Sequence, residues 1–218
     1  ALPDERGQKR SILQPLEGAE VPQAWQGGLP FRYRIGNGEV TVRVAVWAQR
    51  GEAAYKTITN TIAVMRGTAS PDRWVIAGGH RDAWGPGAAD NVSGVSTILE
   101  AGRAIGDAAA AGFRPKRTVV LATWDGEEWG LVGSMEYVEQ MADTLREKAV
   151  AYLNLDVSAN GRNFHAAGTA SLWAFLRDLA ASARQPGDSV SVYEAWRRAT
   201  RSPDSASVPI GDLGGGSD

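Results

Sequence analysis

The sequence predicts an α/β domain with a mostly parallel central sheet. Three apolar runs, RWVIA (73–77), RTVVLAT (117–123) and AVAYL (149–153), are typical of buried strands, and helical segments follow the first two. Strands that alternate with helices in this way favour parallel pairing. A cluster of polar residues follows each run, so the three strand ends are candidates for a functional site.

Shorter elements surround this pattern. Alternating apolar and polar residues over 39–49 predict a half-buried antiparallel strand, and 56–67 is a further β-branched run that ends at Gly67. Helical periodicity over 91–112 predicts a helix with one apolar side. The residues on that side are Val92, Val95, Leu99 and Ala101. The remaining predicted elements are one helix over 131–148, a short strand over 163–168 and an amphipathic helix over 171–184.

The first ~55 residues differ from the rest, because the stretch 14–31 is rich in glycine and proline and indicates irregular structure. We therefore predict two domains, 1–55 and 56–218. The chain ends in LGGGSD, a glycine-rich loop with no packing element after it. We expect the second domain to be truncated at its C-terminus.

Composition limits the classes of function. The 218 residues carry a net charge of −2, which gives no basic surface for nucleic acid. No apolar run reaches the ~20 residues that a membrane span needs, and the polar start is no signal peptide. There is no cysteine, so a metal would have to use histidine, carboxylates or water. Only two histidines, His80 and His165, are present.

The first candidate residues lie in GGHRDAW (78–84). Gly78 and Gly79 allow a tight turn before His80, and Asp82 is near enough to accept a hydrogen bond from the imidazole nitrogen that faces away from a metal. That bond would fix the tautomer, so we place Asp82 in the catalytic set. Taken alone, the pair is better explained as part of an ordinary surface loop.

Acidic residues follow at the other predicted strand and helix ends. Asp90 begins the helix over 91–112 and is a candidate N-cap, a position that would also point its carboxylate toward the strand ends as a ligand. Glu127 and Glu128 repel each other unless a cation is near, although a solvated helix start also accommodates acids. Asp156 ends the third strand, where aspartate is a common turn former. Together, three strand ends that deliver ligands to one edge indicate a metal site.

These motifs resemble a known family. GGHRDAW, ADNVSG, WDGEEWGLVGS and AYLNLD occur in the order and spacing of the zinc-dependent exopeptidases typified by glutamate carboxypeptidase II and the transferrin receptor. The likeness covers most of the chain. It implies a three-layer zinc-exopeptidase domain, and it implies that residues 1–55 are the tail of a β-rich protease-associated domain.

The resemblance also implies roles for the residues. Two zinc ions would be bridged by Asp90, with His80 and Asp156 completing one ion and Glu128 binding the other. Glu127 would be the general base that takes a proton from the metal-bound water. The family has a non-prolyl cis peptide after the bridging aspartate, so we expect one at Asp90–Asn91.

Other parts of the family pattern are less complete. Glu136 and Glu139 match acids that bind calcium, although a solvated helix face would look the same. The second zinc needs a late histidine that this chain does not reach, and we interpret His165 as a strand residue. Ala166 stands where an arginine would hold a substrate carboxylate, and Ser217 replaces an asparagine at a substrate-binding position. A preference for acidic substrates is therefore not expected.

We predict a metallo-exopeptidase whose chain here is an incomplete catalytic domain, with a peptide as substrate. The resemblance further implies extracytoplasmic location and a homodimer for the full-length protein. One alternative is a non-catalytic binding module of transferrin receptor type with a residual metal site. Another is a structural calcium or magnesium site, although a histidine among the ligands favours zinc. Amino- and carboxypeptidases remain equally open.

Overall fold

The computed structural model describes residues 43–200 and 208–214, together with the backbone of four short strands nearer the N-terminus. The chain forms two compact units, Ala1–Tyr55 and Lys56–Asp218. In the first unit the strands pair antiparallel in two hairpin-like ladders. They are β1 (Leu2–Pro3) with β2 (Lys9–Arg10), and β3 (Ala19–Glu20) with β4 (Arg34–Ile35).

The strand predicted over 39–49 is wrong for its described part. Residues 43–50 form no strand, and their side chains are exposed. Period-two alternation stabilises a strand only when a neighbouring strand pairs with it, and none of the described strands does so here.

The second unit is built on a four-stranded sheet in the order β5-β7-β6-β8. Its strands are β5 (Thr61–Met65), β6 (Ser70–His80), β7 (Arg117–Trp124) and β8 (Ala149–Asn154). β6 runs parallel to both β7 and β8, whereas β5 runs antiparallel to β7. The predicted α/β fold with a mostly parallel sheet is confirmed.

Five helices occur in the described part of this unit. They are α1 (Val92–Ala110), α2 (Val132–Gln140), α3 (Ala142–Lys148), α4 (Trp173–Ser182) and α5 (Val192–Thr200). The single helix predicted over 131–148 is instead two, because Met141 leaves helical geometry with φ −103° and ψ 12°. The strand predicted over 163–168 is also wrong, since it reduces to one isolated bridge between Ala167 and Gly211.

The buried side of α1 differs from the apolar side that the sequence indicated. Val92 and Leu99 are 49% and 65% exposed, whereas Gly94 and Ile98 are buried. A Cβ on Gly102 would lie 3.2 Å from the Leu121 side chain, so the sheet contact continues one turn further along the helix. The two glycines let the helix approach the sheet more closely than a valine or leucine face would.

The strand order places a topological switch at the carboxyl end of β6. The chain passes from β6 through α1 to β7, and then through α2 and α3 to β8 on the other side of β6. Ligands of open α/β sheets bind in the crevice that such a switch opens. The residues after β6, β7 and β8 therefore face the expected location of a site.

A separate hydrophobic cluster forms the core of the C-terminal part of the second unit. Trp196 of α5 is 2% exposed and packs with Ala180 of α4 and with Val208 and Ile210, while Phe164 meets its ring edge-on at 5.2 Å. Among the described helices, none has both the length and the apolar character to cross a bilayer.

Candidate metal centre

His80 is the last residue of β6 and is only 1% exposed. The strand reaches this point through Gly79, where an added Cβ would lie 2.4 Å from the carbonyl oxygen of Leu155. Only glycine permits so close an approach of the β6 backbone to the chain that follows β8. The glycine pair thus brings the His80 imidazole beside the residues after β8.

Three side chains converge at this edge of the sheet. Nε2 of His80 lies 3.0 Å from Oδ1 of Asp90 and 3.3 Å from Oδ1 of Asp156. One ligand atom from each of the three lies within 4.8 Å of the other two. An imidazole nitrogen with two carboxylate oxygens is a donor set that suits zinc, so these residues fit the metal that the sequence implies.

The tautomer of His80 also suits a ligand. Its Nδ1 lies 3.0 Å from the backbone carbonyl oxygen of Asp82, which can only accept, so Nδ1 carries a proton. In the neutral ring Nε2 then presents a lone pair to Asp90 and Asp156. Two anions facing a lone pair repel it, and either a second proton or a cation relieves the repulsion.

The electrostatics of the metal-free site agree with this. Burial lowers the pKa of His80, but the carboxylates of Asp156, Glu127 and Asp90 and the hydrogen bond to Asp82 together raise that pKa above its ordinary value. The site therefore favours positive charge at Nε2. A metal ion bound there would supply that charge.

Asp82 does not act on His80 in the way that the sequence indicated. Its backbone carbonyl, not its carboxylate, bonds to the ring, because the carboxylate Oδ1 lies 3.6 Å from Nδ1. The carboxylate instead accepts the backbone N–H groups of Glu127, at 3.0 Å, and Glu128, at 3.2 Å. Asp82 therefore ties the loop after β6 to the turn after β7.

That turn is a short 3₁₀ helix, Glu127–Trp129, preceded by Gly126 in the left-handed region with φ 72°. Oε2 of Glu127 lies 3.8 Å from Nε2 of His80, so its carboxylate borders the three-ligand group. Glu128 is half-buried, and its carboxylate belongs to no group of three ligands among the described residues. Its role as a ligand of a second ion stays a prediction.

The residue that caps α1 is Asn91, not Asp90. Oδ1 of Asn91 accepts the backbone N–H of Gly94 at 3.0 Å, which leaves the Asp90 carboxylate to face His80. The N-cap interpretation of Asp90 is therefore wrong, and its role as a ligand stays a prediction. The peptide bond Asp90–Asn91 is cis, as the resemblance implied.

Glu136, Glu139 and His165 do not belong to the three-ligand group. Glu136 and Glu139 are exposed on α2, and calcium binding there stays a prediction. Ser217 lies outside the described residues. His165 is exposed and in no strand, contrary to its interpretation as a strand residue.

Two features near the site were not found from the sequence. Arg81 bonds through Nη2 to Oδ2 of Asp125 at 3.0 Å and to the carbonyl of Thr59, which joins β5, β6 and β7 at one end. Trp84 and Trp129 are 69% and 74% exposed, and their rings meet at 5.0 Å. The sequence shows that Trp84 and Trp129 lie close to Asp82 and Glu128 along the chain, but it gives no sign that the two rings are in contact.

Comparison with known proteins identifies the family. The model of peptidase family M28 matches residues 60–186, which includes the ends of β6, β7 and β8. The chain belongs to peptidase family M28. The resemblance drawn from the sequence motifs is thereby confirmed.

Individual relatives of this M28 chain carry different names. It is 36% identical to Aminopeptidase NAALADL1 of Mus musculus over 226 residues, covering 96% of this chain and 30% of that protein. It is 41% identical to Probable glutamate carboxypeptidase LAMP1 of Arabidopsis thaliana over 167 residues, covering 76% and 24%. Transferrin receptor protein 2 of Rattus norvegicus is 36% identical over 180 residues, covering 82% and 22%. The chain thus spans less than a third of each relative.

Proposed function

We propose that the chain is the major part of the catalytic domain of a co-catalytic di-zinc exopeptidase, which hydrolyses a terminal peptide bond. The observation that carries the proposal is the group of His80, Asp90 and Asp156 at the switch point of the sheet, with Glu127 beside it. Membership of family M28 supports a peptidase rather than a structural calcium or magnesium site. The imidazole in the ligand set favours zinc.

The residues of the chain divide the work. His80, Asp90 and Asp156 would hold one zinc ion, and Glu128 would hold a second, with Asp90 as the ligand common to both. When bound, such a zinc pair lowers the pKa of water and polarises the carbonyl under attack. Glu127 accepts the proton of the attacking water and returns it to the leaving amine. Asp82 holds the backbone of the turn that carries Glu127.

Glu127→Ala separates the base from the ligands. In the full-length protein we expect kcat to fall by about 10²–10⁴-fold, the contribution typical of a general base, while zinc content stays that of the wild type. Asp90→Ala should instead lose zinc and activity together. Glu147→Ala, an exposed glutamate on α3, is the matched control and should change neither. Zinc is measured by plasma emission after purification without chelator, and kcat on short peptides.

The outcomes separate the assignments. If Glu127→Ala loses as much zinc as Asp90→Ala, Glu127 is a ligand and the division of roles is wrong. If the wild-type protein binds no zinc, the proposal fails as a whole.

A receptor-like module is the second candidate, because a protein named a transferrin receptor is among the relatives. It predicts a protein that binds zinc at His80, Asp90 and Asp156 but hydrolyses no peptide from a panel with free amino or carboxyl termini. Turnover that Glu127→Ala abolishes would exclude it. The same panel tells an aminopeptidase from a carboxypeptidase.

The remaining expectations concern the full-length protein. We propose that residues 1–55 are the tail of a protease-associated domain, that Ser217 contacts substrate, and that Glu136 and Glu139 bind calcium. An extracytoplasmic location and a homodimer belong to the same proposal. Calcium-dependent protection of α2 from proteolysis, lost in Glu136→Gln, checks the calcium site.

A further inference from the structure

Asn91 lies at the meeting point of the segments that carry the three proposed ligands. Its side chain is only 1% exposed, and both halves of the amide are fully used. Nδ2 donates to the carbonyl of His80 at 3.0 Å and to that of Leu155 at 2.9 Å. Oδ1 accepts from the backbone N–H of Gly94 at 3.0 Å and from that of Val157 at 3.1 Å.

These four bonds exceed what a helix cap requires. A cap needs one bond, from Oδ1 to an N–H in the first turn, and Gly94 supplies it. The other three bonds reach the end of β6 and the chain on both sides of Asp156. Asn91 therefore joins three elements, and its most distant partner, Val157, lies 66 residues away in sequence.

The packing around the amide is built for this contact. A Cβ on Gly94 would lie 1.9 Å from the Leu155 oxygen and 2.3 Å from Oδ1 of Asn91. Glycine at this position lets the start of α1 and the end of β8 close on the amide from two sides. Neither backbone has room to move toward the other.

The backbone after Asp156 also needs support. Val157 has φ 48°, in the left-handed region, which is a rare and strained conformation for a β-branched residue. Its N–H is the group that Oδ1 of Asn91 holds. The hydrogen bond keeps the chain in the turn that directs Asp156 toward His80.

We infer that Asn91 is the positioning residue of the metal site. It sets the separation of His80, Asp90 and Asp156 by clamping the ends of β6 and β8 to the start of α1. This rests on the proposed function, because it takes those three residues as ligands. Residues that orient ligands through such hydrogen bonds commonly change metal affinity 10–100-fold when they are replaced.

Two variants distinguish the role of the amide NH2 group from that of the whole side chain. Asn91→Asp keeps an oxygen for Gly94 and Val157, so the cap remains, but its second oxygen faces the carbonyls of His80 and Leu155 and repels them. Asn91→Ala removes both halves. Val120→Ala is the control, because Val120 is fully buried in β7 and its truncation destabilises the sheet without touching the amide.

Zinc affinity of the chain, measured by competition with a chromophoric chelator at a temperature where every variant is folded, is the first readout. We expect a loss of at least about tenfold in both Asn91 variants. Val120→Ala should bind within about threefold of the wild type despite a lowered Tm. The inference is overturned if both Asn91 variants bind within that limit, or if Val120→Ala loses as much affinity for an equal loss of Tm.

Amide exchange in the metal-free chain is the second readout. The N–H of Leu155 donates to the carbonyl of Gly78 at 2.8 Å and reports on the junction of β6 and β8. In Asn91→Asp it should exchange at least about tenfold faster while the Val120 amide keeps its rate, since only local opening is affected. Equal rates would overturn the inference. A wild-type chain that binds no zinc would contradict the proposed function. The amide-exchange measurement would still show whether Asn91 holds the ends of β6 and β8 together.

Discussion

Gly94 offers a sharp test of how closely α1 and the chain after β8 approach each other. An alanine there would place its Cβ 1.9 Å from the Leu155 oxygen, 2.3 Å from Oδ1 of Asn91 and 2.8 Å from its Nδ2. The nearest atom belongs to the backbone, which cannot swing aside as the tip of a side chain can. Gly106, on the same helix, has nothing within 4 Å of its would-be Cβ and provides a matched control.

The two substitutions should therefore change the free energy of unfolding in opposite directions. Alanine gains about 1 kcal/mol over glycine inside a helix, whereas overpacking of a buried contact costs about 1–3 kcal/mol or more. For Gly94→Ala we expect an overpacking cost of about 3 kcal/mol, offset by the gain of about 1 kcal/mol. The net loss of about 2 kcal/mol lowers Tm by about 4–8 °C in a chain of this size. For Gly106→Ala we expect a gain of about 0.5–1 kcal/mol.

The assay is urea unfolding followed by circular dichroism, with a thermal scan as a check. Gly94→Ala should also weaken zinc binding, because the helix start that carries Asp90 must move away from β8. A Gly94→Ala chain as stable as Gly106→Ala would refute the reasoning, because the start of α1 would then have room for a Cβ beside Leu155.

Two further predictions concern Asp82 and Tyr137. Asp82→Ala removes the acceptor of two backbone N–H groups and should lower the free energy of unfolding by about 1.5–3 kcal/mol, whereas Asp143→Ala, whose side chain is 98% exposed, should leave urea unfolding unchanged. Equal curves for the two variants would contradict this. Burial raises the pKa of Tyr137, so the folded chain holds a proton that the unfolded chain releases above about pH 10, and stability should fall as the pH rises further. Tyr137→Phe should flatten that fall in unfolding measurements between pH 9 and pH 11; an unchanged slope would count against it.

The sequence predicted those parts of the site that follow from strand ends. Parallel strands bring their carboxyl ends to one edge, so residues directly after β6 and β8 could be placed together without knowing any contact. The helix face of α1 could not be found in the same way, because hydrophobicity favoured Val92 and Leu99 while close approach selected Gly94 and Ile98. A hydropathy pattern does not report how closely a glycine allows the backbone of a helix to approach a strand.

The partners of short polar side chains were also beyond local reasoning. Asp82 was two residues from His80, which suggested a bond between them, yet its carboxylate bonds to amides 45 and 46 residues away. Three of the four bonds of Asn91 likewise reach the end of β6 or the chain after β8. Such partners depend on which loops the sheet brings together, so they follow from the topology and not from spacing.

The long-range contacts of Arg81, Asp82 and Asn91 all start from the segment that follows β6. Arg81 ties that segment to the residues before β5 and after β7, Asp82 ties it to the turn after β7, and Asn91 ties it to α1 and the chain after β8. Every strand of the sheet is thus fastened to the loop that begins at His80. A cation at the site then meets ligands whose backbones are already held by protein hydrogen bonds, so less ordering accompanies binding. The geometry of the site therefore depends on residues 81, 82 and 91 as much as on the ligands, and replacing one of them should loosen a particular pair of strand ends rather than the whole sheet.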